Sequence, residues 1–176
     1  MLAYSGTDDF TPTTGHVKMN GMVVWRGSWY GHFPNNRGIN ALQIDPFSCS
    51  VEECRFFDYY ESQDAARKLR DYLQQLDDGS VIVGVTADEA SRNLSSALPT
   101  LREFGVDVAD VEFRGSFAFI AQKGYPEKTV LSKVLTERES NRKPARVNAI
   151  ITGIQSAIIQ CENVLCVGII TPCFIK

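Results

Sequence analysis

The sequence predicts an α+β fold built on a largely antiparallel sheet, and three observations carry that prediction. Strand-length apolar or alternating runs recur between Gly, Pro and Asn turns, and segments of helical period lie among them. The two kinds of element do not follow the strict β-α-β order that a parallel sheet requires. With 44% hydrophobic residues in 176, the chain can bury one contiguous core.

Residues 1–16 are rich in Thr, Gly, Asp and Ser without periodicity and read as a flexible lead-in. Val17-Lys-Met-Asn-Gly-Met-Val-Val-Trp25 reads as one or two short strands interrupted at Gly21, with a turn over Gly31–Arg37. Gly38–Asp45 alternates apolar and polar side chains like a half-buried strand, and Arg55–Tyr60 is a second strand candidate. Ser62 is placed to cap a helix over about Gln63–Leu76, where Ala66, Leu69, Leu73 and Leu76 recur at helical spacing. Ser80–Thr86, almost wholly apolar, reads as a central strand.

Asp88 can cap a short helix near Glu89–Leu94, and Pro99 suits the first turn of another that stops at Gly105. Ser116–Ala121 is a further strand, followed by a turn at Lys123-Gly-Tyr-Pro126. Thr129–Thr136 fits strand or helix equally, and Val147–Thr152 closes the domain as a last strand, giving a domain over 17–152. The tail, 153–176, is apolar but interrupted by Glu162, with apolar runs on either side too short for a bilayer span; membrane insertion is not expected. A truncated gene product or the start of a further domain are the alternatives.

A net charge of −3 leaves no basic excess to neutralise a phosphate backbone, so nucleic acid is not an expected partner. His16 and His32 are the two histidines, both in the loop-rich first segment, and no Gly-rich phosphate loop, His-Glu-x-x-His helix or calcium-loop pattern occurs. No catalytic constellation, cofactor or metal site is therefore predicted. Five cysteines leave at least one thiol without an intrachain partner. Cys49 and Cys54, in Phe47-Ser-Cys-Ser-Val-Glu-Glu-Cys-Arg-Phe56, could form a disulfide closing a hairpin tip or remain two free thiols; Cys161, Cys166 and Cys173 crowd the tail. Asn93-Leu94-Ser95 is a glycosylation sequon, informative only in a secreted chain. Trp25, Trp29 and Tyr30 could stack on a sugar or pack over the sheet.

Four segments read together resemble the ILEI/PANDER domain family. They are Arg37-Gly-Ile-Asn-Ala-Leu-Gln-Ile-Asp45, Phe57-Asp-Tyr-Tyr60, Asp78-Gly-Ser-Val-Ile-Val-Gly-Val-Thr-Ala-Asp-Glu-Ala-Ser91 and Phe113-Arg-Gly-Ser-Phe-Ala-Phe-Ile-Ala-Gln-Lys-Gly124. Their order and spacing carry the likeness, which covers roughly Val17–Gly124. The resemblance implies two antiparallel sheets with short helices packed on one side. Similar domains occur as secreted cytokine-like proteins, as modules of hyaluronan-processing cell-surface proteins, and as the sugar-binding stem of a glycosyltransferase acting on O-mannosyl glycans.

By motif, the sugar contacts of that stem fall on Asp88 and Arg114, with Glu89 and Phe113 as their neighbours. A carboxylate accepts from vicinal hydroxyls, a guanidinium donates through a rigid fork, and an aromatic ring offers an apolar face. Asp88 and Arg114 could equally pair with each other across two strand ends, holding the loops. The family usually carries an acid after that Arg, a Trp in the next strand and a Gly further on. Here these positions are Gly115, Phe117 and Ala121, which predicts that sugar affinity or specificity is altered or lost. The expected function is thus a non-enzymatic, secreted or extracellular module recognising a glycan or glycoprotein. The alternatives are a cytokine-like ligand for a cell-surface receptor and an accessory domain of a larger glycan-processing enzyme.

Overall fold

A computed structural model describes residues 2–5, 14–19, 22–28, 37–46, 48, 50–140, 145–151 and 173–175. Strands β1 (Leu2–Ser5), β2 (Thr14–Met19) and β3 (Met22–Ser28) precede β4 (Gly38–Asp45) and β5 (Ser50–Phe57). Helix α1 (Ala65–Gln75), strand β6 (Val81–Ala87), a 3-10 turn over Ser95–Ala97 and helix α2 (Leu98–Glu103) follow. The chain continues through β7 (Ser116–Gln122), β8 (Val130–Val134), α3 (Glu137–Ser140), β9 (Ala145–Ile151) and β10 (Cys173–Ile175).

Two antiparallel sheets result, ordered β10-β9-β1-β2-β3 and β5-β4-β6-β7-β8. The fold is α+β, as the pattern predicts. Strand periodicity sorts the second sheet's side chains into two cores. Leu42, Ile44, Val81, Val83, Val85, Ala118 and Ile120 meet Val17, Met19, Ala145 and Val147 of the first sheet. Ile39, Ala41, Ile82, Phe117, Phe119 and Ala121 face the helices. β6 is buried along its whole length because both of its faces are covered, which explains its nearly continuous apolar sequence. Gly84 sits under the Phe119 ring, where a Cβ would lie 2.1 Å from a ring carbon.

Helix α1 buries Ala65, Ala66, Leu69, Tyr72 and Leu73 on one face, the i, i+3, i+4, i+7 stripe read from sequence. Its start differs from expectation. Asp64 is the first flanking residue and makes no side-chain cap; Ser62 contributes its backbone carbonyl to the Ala65 N–H at 3.2 Å. At the other end the Lys123 ammonium donates to the carbonyls of Gln74, at 2.9 Å, and Leu76, complementing the helix's negative terminus.

Other elements depart from the sequence reading. Residues 2–5 and 14–16, expected in a flexible lead-in, are strand residues in the first sheet, pairing with β9 and β3. β5 starts at Ser50 and stops at Phe57, so Asp58–Tyr60 turn away instead of extending the strand. Cys54 stands in the ladder opposite Leu42, well past the Asp45–Ser50 pair that closes the hairpin. It is a free thiol, exposed on the edge strand, so a tip-closing bridge from Cys54 is not made; Cys49 lies outside the described residues. Trp25 packs against the inter-sheet core, while Trp29, Tyr30, His32 and most of the tail lie outside the described residues. Among the described residues no helix is long and apolar enough to cross a membrane.

Candidate functional site

Antiparallel pairing brings one set of strand ends to a common rim. Gly38 pairs with Ala87, Ile39 with Phe57, and Ser116 with Val134. The residues just beyond those pairs are charged: Arg37 before β4, Asp58 after β5, Asp88 after β6, Arg114 before β7 and Glu137 after β8.

Asp88 and Arg114 both adopt the left-handed backbone conformation, with φ of 56° and 55°. This region is unfavourable for any residue bearing a Cβ, by roughly 1–3 kcal/mol, and it turns both side chains toward one another across the strand ends. The Arg114 Nε lies 3.5 Å from the Asp88 Oδ1, so the pairing considered from sequence is present. Arg114 makes its closer contact, 2.9 Å, with Glu137, and this hydrogen bond is the main reason its guanidinium is held more firmly protonated than usual. Burial pushes the Asp88 carboxyl above the ordinary range, with Arg114 and Arg37 opposing the shift. Phe113 is half exposed and lies beside the Arg114 guanidinium, whose central carbon is 5.4 Å from the ring centroid.

Glu89 does not join these groups at the surface. It is fully buried, and its carboxylate is engaged from within. Oε1 accepts from the Ser91 N–H at 2.6 Å, the Ser91 hydroxyl at 2.8 Å and the Arg92 N–H at 2.8 Å; Oε2 accepts from the Arg114 N–H at 2.6 Å. The expectation that Glu89 contacts ligand is corrected here: its acceptor sites already tie the loop after β6 to the loop before β7. The helix expected to follow Asp88 is absent for the same reason. Glu89, not Asp88, caps the turn, and the next helical turn starts at Ser95. Asn93, the sequon residue, is half-buried, and its side-chain amide donates to the Tyr59 carbonyl at 2.8 Å.

A second cluster at the rim was not read from sequence. Arg37, almost fully buried, forms a bidentate pair with Asp58 (Nε–Oδ1 3.0 Å, Nη2–Oδ2 2.8 Å) and reaches Glu61 at 2.8 Å. Burial alone would push the Asp58 carboxyl up. The Arg37 hydrogen bonds and the Glu61 and Tyr60 N–H groups reverse this and hold it below the usual carboxylate range. Tyr60, 40% exposed, lies 4.5 Å from the Arg37 guanidinium carbon and 4.9 Å from that of Arg92. The available signal was position: charged residues flanking alternate strand termini must converge once the sheet is antiparallel.

Two of the three departures from the family pattern fall away from this surface, and the third, Gly115, adjoins Arg114 at the rim. Phe117 and Ala121 lie in the core beneath the helices, with Phe117 stacked 6.5 Å from Phe119. At Gly115 an added Cβ would approach the Leu135 carbonyl oxygen at 2.4 Å, so this chain's backbone leaves no space for the acid found elsewhere.

Residues 37–125 match the family model described as interleukin-like EMT inducer. The chain belongs to the ILEI family. Over 129 residues it is 31% identical to the human cell migration-inducing and hyaluronan-binding protein, covering 72% of this chain and 9% of that protein. The mouse protein of the same name is 30% identical over the same length, again 72% of this chain and 9% of the relative. The zebrafish cell surface hyaluronidase is 27% identical over 118 residues, 65% of this chain and 8% of the relative. The chain thus spans about a tenth of the length of these relatives. Asp88, Glu89, Phe113, Arg114 and the Arg37–Tyr60–Arg92 cluster all lie inside the matched segment; Glu137 lies outside it.

Proposed function

We propose that the rim bearing Asp88, Arg114 and Phe113 is a carbohydrate-binding face, and that the chain acts as a non-enzymatic recognition module at the cell surface or in the extracellular space. The observation that carries this reading is the combination at Asp88. A half-buried carboxylate has as its one partner among the described residues a guanidinium at 3.5 Å, and that guanidinium lies beside an exposed aromatic ring. Such a carboxylate keeps lone pairs for sugar hydroxyls, Arg114 supplies donors, and Phe113 offers an apolar face to a pyranose ring. The printed names of the relatives, two hyaluronan-binding and one a hyaluronidase, support a glycan as the ligand. Because the match spans so little of those proteins, we read the module as an accessory to glycan recognition rather than the seat of hydrolysis.

The rim itself favours binding over catalysis. Glycoside hydrolysis needs two carboxyl groups flanking the scissile bond. Here the two carboxylates nearest Arg114, Asp88 and Glu137, are both engaged by its guanidinium.

The test is binding of the purified domain to immobilised hyaluronan and to a panel of N-acetylated and O-mannosyl glycans, with size analysis of any hyaluronan released. Retention on at least one glycan, lost in Asp88→Asn and Arg114→Gln variants of unchanged circular dichroism, is expected. Absence of binding to every glycan by the folded domain would remove the reading. Shortening of the hyaluronan would replace it with a catalytic one.

A further inference from the structure

We propose that the binding face extends from Phe113 and Arg114 across Asp88 to a second subsite at Tyr60 and Arg92, and that its ligand is a linear oligosaccharide held along several residues rather than a single terminal sugar. This rests on the carbohydrate reading above and adds a site and a chain-length requirement to it.

Three observations lead there. The first is spacing. Tyr60 follows β5 and Arg114 precedes β7, and the sheet order β5-β4-β6-β7 separates these strands by three steps. At about 4.8 Å per step the strand ends that lead to these two aromatic residues stand roughly 14 Å apart along the rim, wider than one pyranose ring. Asp88, at the end of β6, lies between them.

The second is the likeness of the two ends. Phe113 and Tyr60 are among the few large hydrophobic side chains left exposed, at 50% and 40%, and each lies against a guanidinium. Phe113 has Arg114; Tyr60 rests near the buried Arg37, which Asp58 and Glu61 fix in place, and carries the exposed Arg92. Among the described residues Arg92 has no carboxylate partner, so its donor fork remains available for hydroxyl, acetyl or carboxylate oxygens.

The third is shared construction. The Glu89 carboxylate that accepts from the Arg114 N–H on one side accepts from the Arg92 N–H on the other. The Asn93 amide bond to the Tyr59 carbonyl then holds the turn bearing Arg92 against the segment bearing Tyr60. One buried acid therefore sets the separation of both subsites.

The experiment is calorimetric titration of the domain with two ladders: hyaluronan oligosaccharides and β-linked N-acetylglucosamine oligomers, each from disaccharide to octasaccharide, alongside free glucuronate and N-acetylglucosamine. Affinity is expected to rise by about tenfold or more between the shortest and the tetrasaccharide rungs of at least one ladder, the range expected of one added aromatic or cation–π contact. Arg92→Gln, an exposed substitution with no side-chain hydrogen bond to lose among the described residues, flattens that rise while leaving the shortest rung within about twofold of wild type. Tyr60→Ala does the same, and Asp88→Asn weakens every rung. An affinity that does not change with length, or an Arg92→Gln variant that weakens all rungs equally, overturns the second subsite while the carbohydrate reading stands. No binding by any rung of either ladder overturns both.

Discussion

Replacing Glu89 separates its acceptor role from its bulk. In Glu89→Ala the N–H groups of Ser91, Arg92 and Arg114 lose their acceptor in a position closed to water. Each unsatisfied group costs about 1–3 kcal/mol, and with three backbone donors affected about 4 kcal/mol is expected. Glu89→Gln keeps one carbonyl oxygen, which can still serve the Ser91 and Arg92 donors. Its amide then meets the Arg114 N–H donor to donor; the flipped amide would instead face both the Ser91 and the Arg92 N–H groups, so the first orientation is preferred. One hydrogen bond is lost in it, for about 2 kcal/mol. For a chain of this size that corresponds to a Tm lowered by about 4–8 °C in the Gln variant and about twice that in the Ala variant. Urea unfolding followed by tryptophan fluorescence, with Tm from calorimetry, reads both. If the two variants are destabilised equally, or if either falls within about 0.5 kcal/mol of wild type, the carboxylate is not the tie between the loops.

Asp88→Asn is expected to leave Tm unchanged or raise it while weakening glycan binding, since burial disfavours the Asp88 charge and Asn tolerates the left-handed conformation well; a clear fall in Tm would contradict this. The pH profile of stability should show two carboxylates of opposite sign. Asp88, raised in the folded state, contributes stability present below its unfolded value and lost as pH rises through the folded one, so acidification from neutrality first helps. Asp58, lowered by Arg37, contributes stability present above its unfolded value, about 3.9, and lost as pH falls through the folded one. Equilibrium unfolding from neutrality to strong acid checks both limbs, the first missing in Asp88→Asn and the second reduced in Asp58→Asn. Gly84→Ala drives a methyl into the Phe119 ring and should cost about 1–3 kcal/mol, partly recovered by adding Phe119→Leu; no recovery in the double mutant would place the strain elsewhere.

The second sheet was legible because its strands advertise their burial. β6 reads as a continuous apolar run since both faces are covered, and α1 shows its stripe through Ala66, Leu69 and Leu73. The first sheet was harder to read. Leu2–Ser5 is a four-residue strand that owes its place to pairing with β9, which follows it by some 140 positions; such non-local pairing leaves no local period. At the proposed site, Asp88, Phe113 and Arg114 were singled out through motif, and the structure sets Arg114 against both of the others. Glu89 looked like a ligand residue because sequence shows a carboxylate and not the direction it faces; its burial reverses the role. Arg37, Asp58 and Tyr60 lay in segments already singled out, yet their convergence needs the strand order β5-β4-β6, which no single segment encodes.

Two residues with side chains hold left-handed backbone at facing strand ends, where glycine would adopt the same conformation without strain. Four other left-handed positions in the described residues, Gly38, Gly79, Gly105 and Gly124, are filled by glycine. The sequence therefore follows the easy solution where only a turn is needed and departs from it at Asp88 and Arg114. The strain is held by Glu89, whose bonds fix the backbone on both sides of the gap, and the Asp88 carboxylate is kept half-buried against its own preference for water. A pair retained only to stabilise the fold would not be built this way, since removing the Asp88 charge is expected to help folding. The arrangement is what the proposed carbohydrate-binding face requires: an acceptor and a donor fork at fixed separation, with Phe113 beside the fork, on a rim that the rest of the sheet holds rigid.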